Sequence, residues 1–98
     1  MKFVLSPEAV ERLEDQVRYL KEAHAPAAAE RLRLRVLDFL ENHLAHFPRT
    51  GHRLSRHQLW ESWIPKTNLV IWYQVAGDQV RVVTVWHTSQ DRFGAEPE

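Results

Sequence analysis

His87 stands where a predicted strand ends, so its imidazole can project over a sheet. Imidazole is also the side chain that most readily exchanges a proton near neutral pH. Metal-free cleavage of RNA needs a base for the 2′-hydroxyl, an acid for the leaving oxygen and positive charge for the phosphorane-like transition state. The chain holds candidates for each part: His87 or Glu61 as base, His57 as acid, and Arg53, Arg56, Lys66, Arg81 and Arg92 as phosphate clamps. Among these, His87, Arg81 and Glu61 are the candidate catalytic set, and Arg53, Arg56, Lys66 and Arg92 the candidate target- or nucleic-acid-binding set. No spacing motif joins them. A structural or solvent-facing His87 explains the sequence as well, because geometry must precede a catalytic assignment.

The other chemistry-bearing residues divide in the same way. Glu61 lies between Trp60 and Trp63; partly buried, its carboxyl pKa would rise, whereas on an edge strand its charge would block unwanted pairing. His43 and His46 are three apart on a predicted helix, near His52, but no acidic or cysteine third ligand has metal-site spacing. No metal and no cofactor is expected. Trp60, Trp63, Trp72 and Trp86 could stack on splayed bases, but tryptophan serves equally as core filler and partner anchor.

Charge favours the second use. The chain carries 13 basic and 13 acidic residues for a net charge of zero, whereas proteins that live on phosphate backbone usually have a basic excess. Between Arg49 and Arg92 six basic residues face three acidic ones, so a local basic face is possible and a globally basic one is excluded. With 98 residues and 44% hydrophobic content the chain makes one soluble domain. Cysteine is absent, and the apolar stretch at the N-terminus is too short for a signal peptide or membrane span. Both points suit a cytoplasmic location.

The elements that must position these residues follow from local pattern. Lys2 to Leu5 reads as a short first strand. Ser6-Pro7-Glu8 then starts a helix: serine as N-cap, proline in the first turn, and an acid at the positive end of the dipole. Its stripe is Val10, Leu13, Val17 and Leu20, and Pro26 ends it near His24. A second helix runs from Pro26 to about His46, burying Ala29, Leu32, Val36, Phe39, Leu40, Leu44 and Phe47. The short link makes the two an antiparallel hairpin, with Glu30–Arg33 and Arg35–Asp38 as expected pairs on its solvated face. His52 to His57 reads as a polar connector. Three strands follow, Gln58 to Ile64, Asn68 to Val75 and Gln79 to Trp86, the last two joined by a tight turn at Ala76-Gly77-Asp78. Leu69, Ile71, Tyr73 and Val75 form the better core face, with Trp72 opposite as an exposed anchor. Both alternations of the last strand are apolar, so its faces stay unassigned. Residues 1–93 form the domain and 94–98 a frayed tail. The fold class is α+β: an N-terminal strand and a helix hairpin packed on a three-stranded antiparallel meander.

Several segments together resemble one family. Ser6-Pro7-Glu8-Ala9, Leu13-Glu14 and Tyr19-Leu20 look like its opening helix, and Phe47-Pro48 with Gly51 like the turn leaving its second helix. Tyr73-Gln74-Val75-Ala76-Gly77-Asp78-Gln79-Val80 resembles its central hairpin, and Val85-Trp86-His87-Thr88 with Asp91 its last strand and tail. This is the RelE/ParE superfamily of toxins from bacterial type II toxin–antitoxin systems, and the helix pair and Tyr73 hairpin look more like its ParE side. The resemblance implies a toxin neutralised by a cognate antitoxin protein in a heteromeric complex. A ParE-like member would act on DNA gyrase by protein–protein contact, without being an enzyme. A RelE-like member would be a ribosome-dependent mRNA endonuclease, a target that neutral charge disfavours. Trp72, Trp60 and Trp86 are then the expected antitoxin contacts. Family members often carry an arginine just after the last strand, and Thr88-Ser89-Gln90-Asp91 has none before Arg92. That departure implies that Arg92 substitutes, or that the protein is attenuated and only binds its antitoxin.

Overall fold

The computed structural model describes residues 1–54 and 58–89. Strand β1 (Lys2–Leu5) leads into helix α1 (Pro7–Glu22) and helix α2 (Pro26–Phe39), which continues as a π-helical turn over Leu40–Leu44. Strands β2 (His52–Arg53), β3 (Trp60–Trp63), β4 (Leu69–Ala76) and β5 (Gln79–His87) complete the chain order. They make one five-stranded sheet in the order β1-β5-β4-β3-β2, with β1 parallel to β5 and the other pairs antiparallel. The α+β expectation holds, and the meander gains a strand on each side. On one side β1 pairs along Gln79 to Val82. On the other, His52 and Arg53, read from sequence as connector, pair with Glu61 and Trp60. A two-residue strand leaves no hydrophobic alternation to detect. The proposed frayed tail at 94–98 lies outside the described residues.

Ser6 starts α1 as its type predicts, its side chain accepting from the Ala9 N–H at 3.0 Å. The stripe differs by one residue: Ala9, Leu13 and Val17 are buried and Val10 is 45% exposed, since positions four apart share a face and Val10 sits about 100° round from Ala9. At the far end His24 takes a left-handed backbone (φ 58°). The Ala25 N–H bonds Leu20 O at 2.9 Å and the His24 N–H bonds Lys21 O at 3.1 Å, a Schellman stop just before Pro26. The hairpin is tied by Arg33 to Glu14 at 3.2 Å. Among the described residues neither expected pair, Glu30–Arg33 or Arg35–Asp38, forms. Arg33 reaches across to α1 and Arg35 to the carbonyl of Lys66 at 2.9 Å.

The second helix does not stay α-helical to His46. The Ala45 N–H bonds Leu40 O, five residues back, at 3.0 Å. One widened turn brings Leu40, Leu44 and Ala45 into the core together. Phe47, expected inside, is 57% exposed. It lies 5.8 Å from the His43 ring, which itself stacks on Phe39 at 5.0 Å.

The helices cover one side of the sheet, where Leu69, Ile71 and Tyr73 of β4 meet Val80, Val82 and Val85 of β5. The β4 face is as expected. The two alternations of β5 are both apolar because the strand changes phase: Trp72 pairs with Thr84 but Tyr73 with Val82, so Val83 is a bulge. The β4–β5 turn has its glycine first, Gly77 at φ 61°. Among the described residues no helix is long and apolar enough to cross a membrane.

Tyr73 anchors the centre of this layer. It is fully buried, its ring stacks on Trp60 at 6.4 Å, and its hydroxyl abuts the Gly51 backbone without a well-formed hydrogen bond. A Cβ on Gly51 would stand 2.5 Å from that hydroxyl and 2.6 Å from Glu61 O. Gly51→Ala should therefore cost about 1–3 kcal/mol in urea unfolding, through overpacking against fixed backbone; an unchanged midpoint refutes the close approach. Burial raises the Tyr73 pKa above its ordinary 10.0, and the Gly51 backbone partly counters it. The folded state thus holds the phenolic proton more tightly than the unfolded chain. This contribution is intact below pH 10 and drains away as pH climbs through the folded pKa. Tyr73→Phe should flatten that alkaline loss in thermal melts, and equal slopes in both proteins would argue against it.

Candidate functional site

The sheet side away from the helices carries a second, smaller apolar cluster. Leu59, Val70 and Trp72 are buried there, with Leu54, Val83 and Trp86 packed around them. Trp72 is only 3% exposed, so it is not the open anchor that the sequence suggested. It does lie opposite the main core, as expected, but Trp86 leans on it at 5.4 Å and Leu59 joins it in the cluster. Its indole N–H donates to Glu61 Oε2 at 2.8 Å. That bond gives Glu61 a role neither sequence reading contained. Nor is β3 an edge, since β2 flanks it. The tryptophan that does present surface is Trp63, 60% exposed. Sequence reasoning passed over it because all four indoles sit in equally apolar strands.

Helix α1 overhangs the edge of β5 beyond the point where β1 ends. Ser6 fixes this junction: its N–H bonds Val82 O at 2.9 Å and its hydroxyl donates to Val83 O at 2.6 Å. Six residues on, the Arg12 guanidinium lies 4.2 Å over the Trp86 ring, a cation–π contact. A groove of about 420 Å³ follows, lined by three acids, Glu8, Glu11 and Asp15, with Arg12, Trp86 and His87. On the other side of the hairpin a cleft of about 270 Å³ opens between both helices and the β3–β4 turn. It is lined by Arg31, Arg35 and Lys66, with His87 at its sheet end. Charge that cancels over the whole chain is thus separated across α1.

The three catalytic candidates do not meet. His87 pairs with Leu69 and so faces the helices, while Glu61 opposes Trp72 on the other side. Arg81 pairs with Gln74 on that same far side, about 20 Å along β5 from His87 at the usual strand rise. The His87 Nδ1 accepts from the Ser89 N–H at 3.1 Å and lies 2.7 Å from its hydroxyl. A neutral ring so held carries its proton on Nε2. Of the clamp candidates, Arg53 sits over Trp60 at 5.8 Å, and Lys66 occupies the β3–β4 turn with φ 63°. Arg56, His57 and Arg92 lie outside the described residues. Among the described candidates only Lys66 and His87 come together, and they do so with Arg31 and Arg35 of the second helix. A signal existed: two like charges four apart on one helix face disfavour the helix unless something compensates them.

This arrangement of strand, helix hairpin and antiparallel sheet defines a known class of small fold. The structure superimposes on a chain of the chromosomal ParDE TA system from P. aeruginosa with a TM-score of 0.75, at 10% identity, over 89% of this chain and 95% of that one. No curated protein matches the sequence significantly. The family described as the ParE toxin of the type II toxin–antitoxin system parDE matches residues 3–92. The chain belongs to that family.

The Glu61–Trp72 bond joins the far face of the sheet across two strands. Glu61→Leu would strand a buried indole N–H and should cost about 1–3 kcal/mol, with Glu61→Gln recovering part of it. Equal stability of Glu61→Leu and wild type in denaturant titration would show that the bond contributes nothing.

Proposed function

We propose that this ParE-type toxin is neutralised by a cognate antitoxin and inhibits DNA gyrase through protein–protein contact rather than by catalysis. The observation that carries the non-catalytic reading is the separation of His87 from Glu61 and Arg81 on opposite sides of the sheet. Residues that share one catalytic step must converge within hydrogen-bond reach of one substrate, and the set His87, Glu61 and Arg81 does not. The zero net charge supports the same choice, because a ribosome-directed ligand gains most from a strong cationic excess.

The antitoxin's grip is assigned to the far face of the sheet. The partly covered Trp86 supplies aromatic surface there and Arg81 supplies charge, while the exposed Trp63 adds an aromatic ring at the end of β3, beside the end of α2. Trp72 acts beneath them as support, not contact. Trp60 packs on the helix side against Tyr73, with Arg53 over its ring. It contributes only at the β2 margin. Exposed aromatics of this kind are the usual energetic centres of protein interfaces.

In a supercoiling assay the purified toxin should inhibit gyrase, and added antitoxin should restore activity. Primer extension on ribosome-bound message should show no cleavage; message cut by wild type but not by His87→Ala would replace this reading with a ribonuclease. Trp63→Ala should weaken antitoxin binding by more than about 1 kcal/mol in calorimetry, and an unchanged affinity would move the interface elsewhere. Unimpaired growth on expression without antitoxin would mark the protein as an antitoxin binder alone.

A further inference from the structure

We propose that the cleft between the helix hairpin and the β3–β4 turn binds the phosphate end of a nucleotide. Among the described residues, three cations, Arg31, Arg35 and Lys66, line it, and no carboxylate does. The chain's balancing acids lie elsewhere, so an anion entering this cleft meets attraction from all three. A carboxylate ligand brings one negative charge, while a phosphomonoester brings nearly two at neutral pH, with three acceptor oxygens. Phosphate is the better complement to a planar guanidinium fork beside an ammonium point charge.

The Arg35 guanidinium and the backbone that carries Lys66 are set in place before any ligand arrives. Arg35 donates from Nη1 to the Lys66 carbonyl at 2.9 Å, which fixes its guanidinium with further N–H groups to offer. The turn that carries Lys66 is held by Thr67, whose hydroxyl donates to Ile64 O at 2.7 Å and accepts from the Leu69 N–H at 3.1 Å. Lys66 itself sits in the left-handed region at φ 63°, a conformation an L-residue keeps only when its surroundings dictate it. Arg31 and Arg35, one helical turn apart, repel each other along α2, and a bound anion would convert that repulsion into attraction.

The remaining walls suit the rest of a nucleotide. Gln16 and Asn68 offer amide groups, and the Tyr19 ring, 67% exposed at the rim, offers a face on which a base can stack. The volume of about 270 Å³ is near the lower bound of about 300 Å³ for small-molecule sites. It fits one nucleotide and not a longer strand enclosed whole. The assignment does not depend on whether gyrase is the toxin's target.

The test is calorimetry and two-dimensional NMR on the full chain at low ionic strength, with pyrophosphate, AMP, a 5′-phosphorylated oligonucleotide, its unphosphorylated counterpart and polyglutamate. Pyrophosphate and AMP should bind and shift the amides of Arg31, Arg35, Lys66 and Asn68. An Arg31→Gln/Lys66→Gln double variant, which removes no hydrogen bond seen in the fold, should bind at least about ten-fold more weakly. Arg18→Gln, on the acidic side of α1 beside Asp15, should bind as wild type does. AMP tighter than the 5′-phosphorylated oligonucleotide assigns the site to free nucleotides, and the reverse order assigns it to strand ends. Absence of binding, shifts confined to Arg53 or Arg81, equal affinity for the unphosphorylated strand, or polyglutamate binding as tightly as pyrophosphate would each overturn the proposal.

Discussion

The bulge at Val83 is the constraint on which the other parts depend. A strand side chain alternates faces without exception until an extra residue intervenes. Before Val83, β5 gives Val80 and Val82 to the helices; after it, Val85 and His87 take over that face and Trp86 moves to the other. Ser6 turns the irregularity into an attachment point, because its hydroxyl donates to the Val83 carbonyl while accepting from the first turn of α1. The same residue ends a strand, caps a helix and satisfies a bulged carbonyl. Helix position and sheet phase are therefore set together.

Two consequences reach the surface. Since β1 ends at Leu5, opposite Val82, the helix beyond it can overhang the β5 edge, and Arg12 then covers Trp86. The far face of the sheet is closed into a cluster of its own instead of lying bare, with Trp72 held by Glu61 beneath it. On the other flank of the hairpin, Arg35 clasps the β3–β4 turn and carries α2 charge up to Lys66. The fold of the ParE family thus appears here with two chemically different margins, one acidic and one basic, on either side of α1.

Much of this was legible from residue types. Ser6-Pro7-Glu8, Pro26 and Gly77 each require a particular backbone state, and each marks the boundary it predicted. The β4 alternation identified its core face because hydrophobic and polar positions there differ clearly. Where the signal failed, a physical reason is available. Val10 and Ala9 differ by one step on the helix wheel, and a small alanine at a tight helix–sheet contact buries as well as a valine. The π turn needs only a local shift of hydrogen-bond partner, which leaves composition untouched. His52 and Arg53 pair through backbone alone, so their polar side chains concealed a strand.

For this protein the sequence by itself determined the helix hairpin, the order of the longer strands and the β4 face, since these rest on local propensity and periodicity, while the resemblance of several motifs taken in order pointed to the family. Which tryptophan is buried, which side of the sheet each candidate residue faces and which cations share a cleft were decided only by the tertiary structure. Those properties depend on the phase of β5 after one bulged residue and on contacts between positions far apart in the chain, and neither leaves a periodic trace along it.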